Sequence, residues 1–286
     1  MTAIEPQGAP VHLERGPGAD VVAAFDLDGT LTRGGSVWQF LSSIRGRPAV
    51  IAAGVALAPQ LAKAALFGGH YADEAKEALF LRTLAGMDAT GVQAGAERFG
   101  LAHFDRRSRT KVRARVDWHR RQGHRIVIVS ASPEYYVRAV AGELGADGVV
   151  ATRLEVDDAG RLTGRFEGSN CRGAQKLERL REWIRSSSTG AHDGAGAHDG
   201  ADHAGNAPGG AGEGATSDDG PYDQAGEAGL DTTGAVGDHP FLWAYGNSAG
   251  DRELLAAADI GVDAGRLGRF GKLRRFRRLG DVLTAW

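Results

Sequence analysis

Two carboxylates, Asp26 and Asp28, stand two residues apart where an apolar run, Val21-Val22-Ala23-Ala24-Phe25, stops abruptly. Acids that close repel each other unless a positive charge lies between them or one holds a proton. A hard divalent cation such as Mg2+ answers the repulsion, because it takes oxygen ligands and keeps several waters. Gly29-Thr30 follows, and Asp-Gly is also a common turn dipeptide, so the pair alone equally suits an acidic strand-to-turn junction.

The elements around the pair decide between these readings. A short run of Val, Ala and Phe bounded by glycine suits a strand buried on both faces of a parallel sheet. Ligands of such sheets bind beyond the carboxyl ends of the strands, where Asp26 and Asp28 stand. A second buried strand, Arg125–Val129, runs into Ser130-Ala131-Ser132-Pro133-Glu134 and a helix. The free N–H groups of a helix start, with a hydroxyl, make an anion site. Ser132 also suits a simple N-cap there, with Ser130 left to face a ligand. A third strand, Phe241–Tyr245, ends in Gly246-Asn247-Ser248-Ala249-Gly250-Asp251, followed by a helix over 252–258 and a closing strand over 259–262. Between the second and third strands lie a helix to Leu144, a strand over Gly148–Thr152, an alternating hairpin over 153–164, and a helix over Arg172–Ile184 that carries Lys176.

Asp-x-Asp-Gly-Thr-Leu-Thr after a hydrophobic strand resembles motif I of the haloacid dehalogenase (HAD) superfamily. Ser130 matches the Ser/Thr of its motif II, Lys176 its motif III lysine, and Gly246–Asp251 the place of motif IV. Asn247 stands where most members carry the first motif IV acid, while Asp251 matches the second; an amide oxygen still ligates Mg2+, with one negative charge fewer. The chain resembles the phosphoserine phosphatase-like branch, subfamily IB, and the resemblance spans roughly 230 residues. The fold it implies is α/β, a Rossmann-like parallel sheet with a small helical cap inserted after the first strand. The expected organisation is a loose leader (1–20), a core of 21–35, 105–185 and 241–286, a helical cap (36–104), and a disordered insertion rich in Gly, Ala and Asp (186–240).

Composition fits that division. Hydrophobic content of 42% with 24% charged residues is ordinary for a globular protein. Residues 186–240 hold ten Asp/Glu, fourteen Gly and no Lys or Arg, so the remainder carries 34 basic against 26 acidic residues. That surplus attracts anionic substrates yet falls short of a nucleic-acid footprint. The insertion holds almost no large apolar side chain and cannot offset its chain entropy by burial. Its repeated His-Asp-Gly, at His192 and His198, fixes no coordination geometry. A single cysteine, Cys171, excludes an internal disulfide and fits a reducing, cytoplasmic setting; the first 20 residues lack the apolar segment of a signal peptide.

Within the cap region, Ser36 is placed to cap a helix from Val37, and helices follow over 72–85 and 94–104. Pro48–Phe67 has only Lys63 charged and reaches the length of a membrane span, but Pro59 breaks it, favouring a buried, bent helix pair. A greasy wall over the substrate is a further reading of the same stretch. Arg106–Gln122 reads as one basic helix with Val112, Val116 and Trp118 inward and its arginines solvated. The tail, Arg266–Arg278, spaces Leu267, Phe270, Leu273 and Phe276 as an amphipathic helix. Such a helix docks on a sheet or makes weak contact with acidic lipid.

The resemblance implies a Mg2+-dependent phosphatase acting on a small phosphorylated metabolite, with no nucleic-acid partner. Asp26 attacks phosphorus and becomes an aspartyl-phosphate; Asp28 protonates the leaving alcohol and later activates water. Asp26, the Asp28 carbonyl, Asn247 and Asp251 surround the metal, and Ser130, the Ala131 amide and Lys176 hold the phosphoryl oxygens. A phosphotransferase passing the phosphoryl group to another alcohol stays open. Phosphoserine phosphatases carry a glutamate nine residues after the nucleophile; here Gly35 stands there, which predicts weak or no phosphoserine turnover. The rival reading is a membrane-surface or partner-binding protein that keeps the HAD fold with little catalysis.

Overall fold

Strand β1 (Val21–Phe25) is buried along its whole length. Val21, Ala23 and Phe25 enter one core and Val22 and Ala24 the other, which is why the run is apolar throughout instead of alternating. The computed structural model describes residues 20–189, 240–265 and 277–278. In it, β1 lies between β2 (Arg125–Pro133) and β6 (Phe241–Gly246), parallel to both. β3 (Gly148–Thr152), β7 (Ile260–Asp263) and a two-residue β8 (Arg277–Arg278) extend the sheet to the order β3-β2-β1-β6-β7-β8, with every pair parallel. The expected α/β fold is the one observed. β4 (Leu154–Val156) and β5 (Leu162–Phe166) form the separate antiparallel hairpin.

Winding reverses between β1 and β6, so a crevice opens beyond their carboxyl ends. The register sets Phe25 opposite Ile128 on one side and Tyr245 on the other. Asp26, Ser130 and Asn247 therefore all emerge within two residues of that line. Helices α6 (Thr110–Arg121) and α7 (Glu134–Glu143) cover the Phe25 face through Val112, Val116, Val137 and Val140. α8 (Ala174–Thr189) and α9 (Arg252–Ala257) cover the other through Leu180, Leu254 and Leu255. Each such side chain contributes about 1.5–3 kcal/mol on burial.

Five helices separate β1 from α6: α1 (Val37–Arg45), α2 (Arg47–Ala56), α3 (Ala58–Phe67), α4 (Gly69–Leu84) and α5 (Ala89–Arg107). Phe40, Leu41, Phe80, Leu84 and Phe104 join α1, α4 and α5 to the core over the Phe25 face.

Several details of the helices differ from the sequence expectation. The basic helix is two helices, because the chain at Arg107–Arg109 pairs with the loop after β1: Arg33 N donates to Arg107 O (2.8 Å) and Arg109 N to Leu31 O (2.9 Å). Its arginines are not all solvated, since Arg115 is 2% exposed and donates through Nε to the Tyr245 hydroxyl at 2.8 Å. The bent pair α2–α3 turns by 74° at Leu57 but is not buried as a whole. α3 buries no residue, and Val55, Leu66 and Phe67 are 71%, 78% and 69% exposed. Pro48 and Pro59 each start a helix, which holds both to ten residues and leaves α3 resting on α4. No single described helix is long and apolar enough to cross a membrane. Finally, α8 continues to Thr189, so the first residues of the expected insertion are helical.

Of the tail, Arg277–Arg278 form a strand instead of a helix end. The leader, the body of the insertion, and the rest of the amphipathic tail lie outside the described residues.

Candidate active site

Asp26 follows β1 directly and is 6% exposed. Its Oδ1 receives Lys176 Nζ at 2.6 Å and its Oδ2 the Thr30 hydroxyl at 2.9 Å. Lys176 sits on the first turns of α8 and donates equally to Asp251 Oδ1 at 2.6 Å. Burial and the Asp251 charge push the Asp26 carboxyl up to about 7, although Lys176 pulls the other way. Burial alone lowers the lysine, but Asp251 and Asp26 outweigh it and hold the ammonium above its usual range. Asp251 lies below the ordinary carboxylate range: burial raises it, and Lys176 and Ser248 more than reverse that. Its Oδ2 accepts from Asn247 N, Ser248 N and Ser248 Oγ, which closes the turn after β6 as a capping box.

Asp28 has a different environment. Its Oδ2 accepts from Ser36 Oγ (2.7 Å) and Ser132 Oγ (2.5 Å), while its buried Oδ1 has no partner among the described residues. Burial raises its carboxyl despite these hydroxyls. Two carboxyl groups with distinct partners are the arrangement that lets one act as nucleophile and the other as acid. Ser36 and Ser132 were expected as helix caps, yet neither caps. Ser36 makes no side-chain cap bond, and Pro133 occupies the N-cap of α7. Their hydroxyls are drawn instead to Asp28 and to the buried Tyr136 hydroxyl, 2.6 Å from Ser36 Oγ.

Asn247 approaches this pair because residue 29 is glycine. Gly29 has φ +86°, and a Cβ there would lie 2.1 Å from the Asn247 amide nitrogen. Turned one way, that nitrogen donates to Asp26 Oδ2 (3.1 Å), Thr30 Oγ1 (3.1 Å) and the Asp28 carbonyl (2.9 Å). Turned the other way, the amide oxygen accepts from Thr30 Oγ1 at 3.1 Å and faces the Asp26 and Asp28 oxygens. In that orientation the Asn247, Asp26 and Asp28 oxygens converge, an arrangement that a cation satisfies. No cluster of three or more His, Cys, Asp or Glu is arranged for a metal among the described residues. The oxygen set here is a carboxylate, a main-chain carbonyl and an amide, which fits Mg2+ with its retained waters. Asp251 is turned toward Lys176 and Ser248, behind this set.

Ser130 is buried within β2, three residues before its end, and its Oγ accepts from Ser132 N at 3.0 Å. The Ala131 carbonyl accepts from Lys76 Nζ (2.5 Å) and Thr152 Oγ1 (2.6 Å). Lys76 also donates to Asn170 Oδ1 (2.7 Å), and burial lowers it to about 7. This lysine ties α4 to the last residues of β2 and to the segment after β5. Sequence reasoning passed over it: it stands between Asp73, Glu74 and Glu77 on a helix, with nothing local to mark it as buried. Arg109 was likewise missed; its Nη1 donates to the Gly29 carbonyl at 2.7 Å and holds the turn that carries both acids.

A model of the haloacid dehalogenase-like hydrolases matches residues 23–195. Protein CicA of Caulobacter vibrioides is 35% identical over 173 residues, 57% of this chain and 72% of CicA. Among solved structures, a protein with unknown function from Bordetella pertussis Tohama I is similar with a TM-score of 0.63 at 22% identity, over 91% of this chain and 98% of that one. A probable phosphoserine phosphatase from Vibrio cholerae is similar in fold with a TM-score of 0.51 at 14% identity, over 93% of this chain and 65% of that one. With its acids, lysine and asparagine gathered at one sheet end, the chain belongs to the haloacid dehalogenase-like hydrolases.

Proposed function

We propose that the protein is a Mg2+-dependent phosphatase that hydrolyses a small phosphomonoester through an aspartyl-phosphate on Asp26. The observation that carries this reading is the placement of Asp26, with one oxygen on Lys176 and the other toward Thr30 and Asn247. An anionic nucleophile reaches an anionic phosphate only where fixed positive charge quenches their repulsion. Asp26 attacks phosphorus, the bond to the ester oxygen breaks, and Asp28 gives that oxygen its proton. Asp28 then takes a proton from water as the water attacks phosphorus, releasing inorganic phosphate and free Asp26. Such a covalent intermediate splits one slow displacement into two, and a single acid–base group serves both. Ser130 Oγ, the Ala131 amide and Lys176 hold the phosphoryl oxygens. Asp26, the Asp28 carbonyl and Asn247 hold Mg2+, with Asp251 positioning Lys176 beside them. When bound, the ion neutralises charge between Asp26 and the phosphoryl group.

Domain roles follow: residues 21–35, 105–185 and 241–286 carry the chemistry and 36–104 cap it. Gly35 removes the amine-gripping glutamate of phosphoserine phosphatases, so phosphoserine is a poor substrate. A phosphometabolite screen with wild type and Asp26→Asn tests the reading. Mg2+-dependent release of phosphate by wild type alone is expected. Equal release by the variant refutes it, and a marked preference for phosphoserine refutes the substrate assignment.

The exposed apolar side chains of α2 and α3 favour a second reading, in which the protein works at a membrane surface. Sedimentation with anionic vesicles, for wild type and Leu66→Ser/Phe67→Ser, tests it. Binding lost in the variant supports this reading, and no binding by wild type excludes it.

A further inference from the structure

Lys76 belongs to α4, one of the five helices between β1 and α6, yet its ammonium reaches the strand that carries Ser130. It donates to the Ala131 carbonyl at 2.5 Å and to Asn170 Oδ1 at 2.7 Å. Thr152 Oγ1 stands close to the same two acceptors, at 2.6 and 2.8 Å. A hydroxyl has one proton and serves one of them well, whereas an ammonium has three and serves both. Asn170 is fixed from its other side, because its Nδ2 donates to Asp73 Oδ1 at 2.6 Å, also on α4. The Ala131 carbonyl therefore depends on Lys76 whenever Thr152 turns to Asn170. The Phe80 and Phe166 rings flank the ammonium, 5.7 and 5.2 Å from Nζ. No carboxylate lies within salt-bridge distance of it among the described residues, so its charge falls on these two acceptors.

The Ala131 carbonyl shares its peptide group with the Ser132 N–H, and that N–H donates to Ser130 Oγ at 3.0 Å. A cation on the oxygen end of a peptide polarises it and strengthens the N–H end as a donor. A Ser130 hydroxyl that accepts from Ser132 N has its own proton free to give to another acceptor. In the phosphatase reading, on which this step rests, that acceptor is a phosphoryl oxygen.

We propose that Lys76 is a positioning residue for the phosphoryl group. Through the Ala131–Ser132 peptide it orients the Ser130 hydroxyl, so α4 helps to set the phosphate grip from outside the sheet.

A double-mutant cycle read as affinity for inorganic phosphate tests this. Calorimetry is run with Mg2+ present at pH 6, below the value of about 7 to which burial lowers Lys76. Wild type, Lys76→Met, Ser130→Ala and the double variant are compared as full chains. Ser130→Ala is expected to weaken phosphate about thirtyfold and Lys76→Met about fivefold. Within Ser130→Ala, the Lys76→Met change is expected to cost less than about twofold, because the group it acts through is gone. A cost that is equal in both backgrounds, as loosening of α4 alone gives, overturns the proposal. So does undiminished binding by Lys76→Met. Should Lys76→Met fail to fold, Lys76→Gln, which keeps a donor without the charge, takes its place in the cycle. Phosphate that fails to bind wild type, or binds Ser130→Ala unchanged, refutes the placement of the phosphoryl group at Ser130, and this proposal with it; that result is read without any change at Lys76.

Discussion

Lys176 Nζ stands 2.6 Å from Asp26 Oδ1, and Lys176 itself is 2% exposed. One buried ammonium thus faces the carboxylate at the end of β1 while also bonding Asp251 across the crevice. The lysine neutralises two acids that burial disfavours in their charged forms.

Lys176→Met leaves both carboxylates buried without their cation. Near neutral pH the variant is expected to lose about 3–5 kcal/mol of stability. Asp26 and Asp251 then both titrate above their ordinary range, so the folded state binds more protons than the unfolded one, and stability recovers as pH falls from about 7 to about 5. Urea denaturation at the two pH values checks this. A loss that is the same at both contradicts it.

Asn247→Asp restores a charge beside Asp26 and the Asp28 carbonyl. Mg2+ is expected to bind about tenfold more tightly, since a carboxylate is a stronger hard-ion ligand than an amide. Without metal, the added charge raises the Asp26 carboxyl further, so binding releases more protons. Calorimetry in buffers of different ionisation enthalpy reads both effects. Unchanged affinity and unchanged proton release contradict the assignment of Asn247.

His119 is buried and held neutral. Burial, and then Arg115, lower its imidazole to about 2. Arg115 donates to the Tyr245 hydroxyl, which lies 2.8 Å from His119 Nε2, and His119 Nδ1 lies 2.8 Å from His124 Nδ1. A folded value below the unfolded one gives stability that is complete above about pH 6.5 and is lost as pH falls below it. The expected slope is about 1 kcal/mol per pH unit between about pH 6 and pH 5, and His119→Gln removes it. Denaturation curves at both pH values decide; equal slopes in the two proteins contradict the account.

The parts of this fold that were legible in the sequence are those whose burial is two-sided. β1, β2 and β6 read as strands because both faces demand apolar residues, and Asp26, Ser130 and Asn247 stand out by ending those runs. Polar residues buried through distant partners were not legible. Arg115 and His119 look like a solvated basic face until Tyr245 closes against them. Ser36 and Ser132 carry the local signature of caps, but donating to Asp28 turns their hydroxyls away from the helix N–H groups they would accept from. The exposure of α3 ran against its composition, since apolar content alone does not say which neighbour is present to cover it.

The central claim is that Asp26 is transiently esterified by phosphorus. Acid quenching during turnover, followed by borohydride reduction and peptide mass spectrometry, reads this directly, because the reagent converts an aspartyl-phosphate to homoserine. The account predicts homoserine at position 26 only when substrate and Mg2+ are both present. Steady phosphate release with residue 26 recovered wholly as aspartate would contradict it.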